Sequence, residues 1–134
     1  MHKAILILIV LLLASGCAGN PRQEYTTTIE AALEADRLTP EQWIVPSGQT
    51  IRLHLVNRSG QNADWTLMAR PVTPPFDSAD EPNVWFSQPL AAGQEVNVEF
   101  AAPAAPGEYD VVCMRAFCDR ERIRATLLVV IPEP

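Results

Sequence analysis

The chain has 134 residues and carries 10 Lys and Arg against 16 Asp and Glu, a formal net charge of −6. That balance argues against nucleic acid as a partner, because phosphate backbones demand clustered positive charge. The length suits one domain that can bury an adequate core without help.

The first stretch stands outside the fold. Met1-His2-Lys3 is a short basic start, residues 4–14 are an unbroken apolar run, and Ser15-Gly16-Cys17 follows. A basic start, a short apolar core and small residues before a cut are the parts of a secretory signal peptide. A membrane-spanning helix needs about 20 apolar residues, and this run gives way sooner to the polar Asn20-Pro21-Arg22-Gln23-Glu24. Leu13-Ala14-Ser15-Gly16-Cys17 resembles the bacterial lipobox, with Ala14 where leucine is commonest. The resemblance implies that residues 1–16 are removed on export and that Cys17 becomes the acylated first residue. Each buried CH₂ of an acyl chain contributes about 0.8 kcal/mol to membrane binding. Ala18 follows the cysteine; in a cell with two membranes, the absence of aspartate there resembles outer-membrane sorting. Residues 17–24 then form a lipid-anchored tether, and residues 25–134 an extracytoplasmic domain. Loss of Lys3 takes the basic count from 10 to 9 against 16 acids, a balance of −7. Cys113 and Cys118 are the remaining cysteines, and a close pair in an oxidising compartment is a disulfide candidate.

Beyond the tether, short runs alternate with period two between Pro- and Gly-rich turns. Thr26-Thr27-Thr28-Ile29 is β-branched, as strands prefer, and residues 31–37 suggest a brief helical turn. Gln42-Trp43-Ile44-Val45 stops at the turn Pro46-Ser47-Gly48. In residues 50–57, Ile51, Leu53 and Leu55 point one way and Arg52 and His54 the other, before the turn Asn57-Arg58-Ser59-Gly60. Residues 64–69 read as a strand. Val96, Val98 and Phe100 face inward from residues 95–100, Tyr109, Val111 and Cys113 from residues 107–113, and Ile123, Ala125, Leu127, Val129 and Ile131 from residues 122–131. Half-buried antiparallel strands produce this alternation, and many short strands with frequent turns predict an all-β sandwich. Residues 70–83 break the pattern. Pro71, Pro74, Pro75 and Pro82 exclude a central strand, because proline lacks the ladder N–H. This segment is either a stiff solvated connection or a functional loop.

Leu38-Thr39-Pro40 with Trp43-Ile44-Val45-Pro46-Ser47-Gly48-Gln49-Thr50-Ile51 resembles the opening of bacterial cupredoxins, proteins of azurin and plastocyanin type. Leu55-Val56-Asn57 before a turn, Ala102-Pro103, Gly107-Glu108-Tyr109 leading to Cys113, and Ala125-Thr126-Leu127-Leu128-Val129-Val130 extend the likeness in the same order. It covers residues 26–131 and implies a Greek-key sandwich of two sheets. A blue-copper site uses two histidines, a thiolate and a weak axial methionine. By the resemblance, the first histidine position is Ala63, the thiolate Cys113 and the second histidine Cys118. Ile123 is the nearest match to the methionine, with one extra residue in the loop. Three of the four ligand types are therefore absent, and no type-1 copper is expected. His2 leaves with the signal peptide, and His54 faces outward.

The resemblance also implies that the side chains of Cys113 and Cys118 converge. The first reading is a disulfide that replaces the metal as a clasp; a short loop of this kind stabilises by about 2–3 kcal/mol. The alternative is a Cu(I) carrier, with Cys113, Cys118 and Met68 as soft ligands. A dithiol redox couple fits less well, since such motifs place Cys-x-x-Cys at a helix start. With one outward histidine in the mature chain, a Ser-His-Asp site is implausible, and no enzyme is expected. Arg115, Arg120, Arg122 and Arg124 crowd one short segment of an acidic protein. They are either a solvated face with weak ion pairs or a docking patch for an acidic envelope partner or anionic headgroups. Trp65, Trp85 and Phe86 are candidate apolar neighbours of that patch, or core residues. The expected function is a lipid-anchored binding or assembly module of the envelope that uses the former metal end and the proline-rich loop, without a cofactor.

Overall fold

The computed structural model describes residues 26–71, 78–115, 118 and 123–133. The leader, the tether with Cys17, and Arg120 and Arg122 lie outside the described residues. The strands are β1 (Thr27–Leu33), β2 (Leu38–Thr39), β3 (Gln42–Pro46), β4 (Thr50–Asn57), β5 (Ala63–Met68), β6 (Val84–Leu90), β7 (Glu95–Ala101), β8 (Gly107–Val112) and β9 (Arg124–Val130). A 3₁₀ helix, Ser78–Asn83, precedes β6. Among the described residues, no helix is long and apolar enough to cross a membrane.

The strands make two sheets, in the orders β2-β1-β4-β7 and β3-β9-β8-β5-β6. The alternation of β4 dictates its place: Ile51, Leu53 and Leu55 are fully buried, while Arg52 meets Glu99 on the wet face at 3.0 Å. Gly48 and Gly60 take φ of 67° and 80° in the turns that flank β4, a region open to glycine at little cost. Between the sheets, Trp65 of β5 is completely buried, with ring centroids of Trp43 at 5.7 Å, Phe86 at 6.2 Å and Phe100 at 5.7 Å. Trp43 and Phe86 belong to the same sheet as Trp65, and Phe100 to the other, so the aromatic cluster joins the layers. The Trp43 Nε1–H donates to the carbonyl of Glu30 at 2.8 Å, a direct bond from β3 to β1 across the sandwich edge.

The pairings define two ends. β1 runs parallel to β4, with Thr27 beside Ile51, and β3 runs parallel to β9. The Ser47 N–H donates to the carbonyl of Val130 at 2.8 Å, and the Ala102 N–H to that of Gln49 at 2.9 Å. The described chain therefore enters the fold at the end where β3 and β9 finish. β4 and β8 finish at the other end, where β5 and β9 begin.

Several expectations need correction. Residues 31–33 continue β1 instead of starting a helical turn, because Ala31, Ala32 and Leu33 pair along β4 and are buried. Ile131 was expected inside, but the ladder of β9 ends at Val130 and Ile131 is 73% exposed. β6 is a strand that the sequence reading does not name, and it contains a proline, Pro89. It is tolerated because β6 is the edge of its sheet.

Replacing Trp65 with alanine removes the centre of the aromatic cluster and is expected to cost about 3–5 kcal/mol in urea unfolding. Ile44→Ala on the exposed face of β3 is expected to stay within about 0.5 kcal/mol of the parent. Equal effects of the two would contradict this core.

Candidate functional site

The burial of Trp65 sets the parity of β5. Ala63, two residues earlier, shares its inward face, and Asp64 and Thr66 take the other. β8 pairs with β5 through Thr66↔Val112 and Leu67↔Val111. Cys113, the next residue, is thereby brought to the Ala63 end. β9 pairs with β8 through Val112↔Arg124, which sets Ile123 at that end too. Ala63, Cys113, Cys118 and Ile123 all belong to the main buried cluster. The sulfurs of Cys113 and Cys118 lie at bonding distance, with Cα atoms 5.9 Å apart. Cys113 is fully buried and Cys118 4% exposed. The Cys118 N–H also donates to the carbonyl of Arg115 at 3.0 Å.

Asp64 was not among the candidates, yet it organises this end. It is buried, at 5% exposure, on the outer face of its sheet. The Met114 N–H donates to both carboxylate oxygens, at 3.1 Å and 3.0 Å. The Thr66 hydroxyl donates to Oδ2 at 2.5 Å and lies 2.7 Å from the Ser87 hydroxyl. Oδ1 is 3.6 Å from the Cys113 sulfur and 3.9 Å from Arg115 Nε. A buried carboxylate is costly unless it is hydrogen-bonded or paired, and hydrogen bonds to an ionised acceptor are roughly twice as strong as neutral ones. The network ties β5, β6 and the exit of β8 into one clamp beside the cysteines. The sequence shows only an acid in strand parity with Thr66 and Met68. Only the tertiary structure shows what covers them.

Asn57 builds the adjoining wall. Its Nδ2–H donates to the carbonyls of Gln61 at 2.7 Å and Ala91 at 3.0 Å, and its Oδ1 accepts from the Ser59 N–H at 3.0 Å. One buried amide thus holds the β4–β5 and β6–β7 loops together.

The other candidates scatter. Met68 is buried in a separate small cluster with Val112, against which Val84 and Met114 pack, apart from the cluster that contains the cysteines. Arg115 is half-exposed beside Asp64, and Arg124 is bound to Asp110 at 2.9 Å. His54 lies on the outer face of the other sheet, hydrogen-bonded to Glu95 and with Nδ1 3.9 Å from Glu30. Trp65 and Phe86 belong to the core. Trp85 sits at the opposite end from the cysteines, where its Nε1–H donates to the carbonyl of Ala101 at 2.8 Å. The proline-rich loop leaves and rejoins the sheet through Ala69 and Asn83, bonded at 2.6 Å, at the end of β5 remote from Ala63. Among the described residues, no group of three or more His, Cys, Asp and Glu is arranged to hold a metal ion.

Residues 4–129 match the family of the cupredoxin-like domain. No curated protein matches the sequence. Among solved structures, the chain resembles reduced auracyanin from the photosynthetic bacterium Roseiflexus castenholzii, at 24% identity and a TM-score of 0.64, covering 78% of this chain and 97% of that one. It also resembles auracyanin A, a "blue" copper protein from Chloroflexus aurantiacus, at 26% identity and a TM-score of 0.63, covering 79% and 100%. Reduced rusticyanin is similar in fold at 14% identity and a TM-score of 0.56, covering 78% and 79%.

Asp64→Ala strands the Met114 N–H without its acceptor and breaks the bond from the Thr66 hydroxyl to the carboxylate. It is expected to lower stability by about 1–3 kcal/mol, read from the urea midpoint. Asp64→Asn keeps one acceptor oxygen and is expected to lose less; an alanine variant as stable as the parent would refute the clamp.

Proposed function

The chain belongs to the cupredoxin-like domain family, and on that premise we propose a lipid-anchored, extracytoplasmic member without type-1 copper that serves as a binding or assembly module of the cell envelope. The observation that carries this reading is chemical. A type-1 centre takes two imidazole nitrogens, a thiolate and a weak axial thioether. The positions that correspond by resemblance hold Ala63 and Ile123, which have no donor atoms, and Cys113 and Cys118, whose sulfurs are at bonding distance. These residues do not fit the ion.

The clasp supports a structural part for the cysteines. Both are buried beside an acid that is already hydrogen-bonded, and Met68 is grouped elsewhere. A Cu(I) carrier would need the two thiols reduced and within reach of a donor. The reading is of a binding protein and not an enzyme: His54 is engaged with carboxylates on the outer face of the other sheet. For docking, the cysteine end offers Arg115, half-exposed, and Arg124. Arg120 and Arg122 complete the basic segment in the sequence. An acidic envelope protein is the partner this chemistry suits, and the location of the proline-rich loop's roots separates it from that surface.

The test is intact mass on protein from the membrane fraction, with and without reductant before alkylation. The expected result is an acyl mass on Cys17 and two thiols that alkylate only after reduction. Added Cu(II) is expected to give no blue colour. Free alkylation of both thiols, with tight stoichiometric Cu(I) binding under reducing conditions, would overturn the reading in favour of a soft copper carrier.

A further inference from the structure

We propose that the domain stands on the lipid surface at the end where the tether joins it, with Val130 and Ile131 as its membrane contact, and presents the Cys113–Cys118 end outward. The inference rests on the anchoring at Cys17 proposed above.

The placement follows from strand direction. Thr27, at the start of β1, lies beside Ile51 near the start of β4. The turn before β4 is bonded to Val130 through the Ser47 N–H at 2.8 Å. The chain therefore enters the fold close to the end of β9, where Ile131 is 73% exposed and Val130 36%; Trp85, 46% exposed, lies at the same end of the sandwich. Ile44, 60% exposed, extends this stripe along β3, opposite Leu128 of β9.

Reach decides the orientation. Thr27 lies ten residue steps beyond Cys17. A flexible chain of that length spans about 5–6 Å times the square root of its residue number, or roughly 17 Å on average, and at most about 35 Å when fully drawn out. β4 alone has 8 residues and is about 26 Å long at the usual strand rise. With the entry end down, the tether keeps its average length and Ile131 faces the bilayer. With the cysteine end down, the tether must run back past the whole sandwich near full extension, at a cost in chain entropy. The neighbourhood of the contact favours apolar insertion over charge attraction, since Glu108 and Glu133 are the exposed ionisable groups nearest in sequence and pairing to Leu128 and Ile131. Arg115 and Arg124 at the far end then face away from headgroups and toward a protein partner.

The test uses the full acylated chain in phosphatidylcholine nanodiscs that contain a fraction of lipid with a gadolinium-bearing headgroup, read by isoleucine methyl NMR. The expected result is loss of the Ile131 signal, partial broadening of Ile44 and a preserved Ile123, with recovery of the Ile44 signal in Ile131→Glu. Strongest broadening at Ile123, or equal broadening at all three, overturns the orientation. A mass spectrum of the same sample without acyl mass on Cys17 overturns the anchoring itself and the inference with it, so the two failures are distinguishable.

Discussion

The structure depends first on where Trp65 goes. Its indole is the largest side chain buried completely, and it touches Trp43, Phe86 and Phe100 from both sheets. An aromatic of this size dominates the energetics of a small core, and a strand alternates faces without exception. Once Trp65 is inside, Ala63 must be inside with it and Asp64 must be outside. The same constraint that closes the sandwich therefore decides which residue packs against the core at the cysteine end and which clamps that end from behind.

That end has two fastenings of different chemistry. The cysteine pair closes a loop of short sequence separation from the core side. Asp64 holds the backbone of Met114 from the outer side and passes a hydrogen-bond chain through Thr66 to Ser87. Buried polar networks of this kind rigidify when every member is satisfied. The exit of β8 is thus held from both faces of one sheet. The fold is shared with copper proteins such as auracyanin A, but a fold hosts many functions, and what it does is set by the groups at its sites.

The two ends of the sandwich differ in kind. One gathers the buried cysteines, the Asp64 network and half-exposed arginine. The other gathers exposed isoleucine and valine beside the entry of the chain. Strand direction, not composition, sorts them, because parallel β1 and β4 start together and the hydrogen bond from Ser47 ties that start to Val130.

Much of this was legible in the sequence. Period-two alternation located β4, β7, β8 and β9, and named Ile51, Leu53, Leu55, Val111 and Leu127 as core, because alternation is a local property that burial of one face imposes. The cysteines at their spacing, the missing imidazoles and the outward His54 are likewise facts of composition and parity. Other features required the tertiary structure. β6 is a strand despite Pro89 because it lies at an edge, and edge position is a matter of assembly. Residues 31–33 are extended because β4 lies beside them. Met68 and the cysteines belong to different clusters because a sheet separates them, though each is buried. Asp64 shows its role only when β8 delivers the Met114 N–H, 50 residues away in the chain. The sequence by itself determined which faces are apolar and which donor atoms exist; the tertiary structure decided which of them meet, because meeting depends on pairings between strands far apart in the chain.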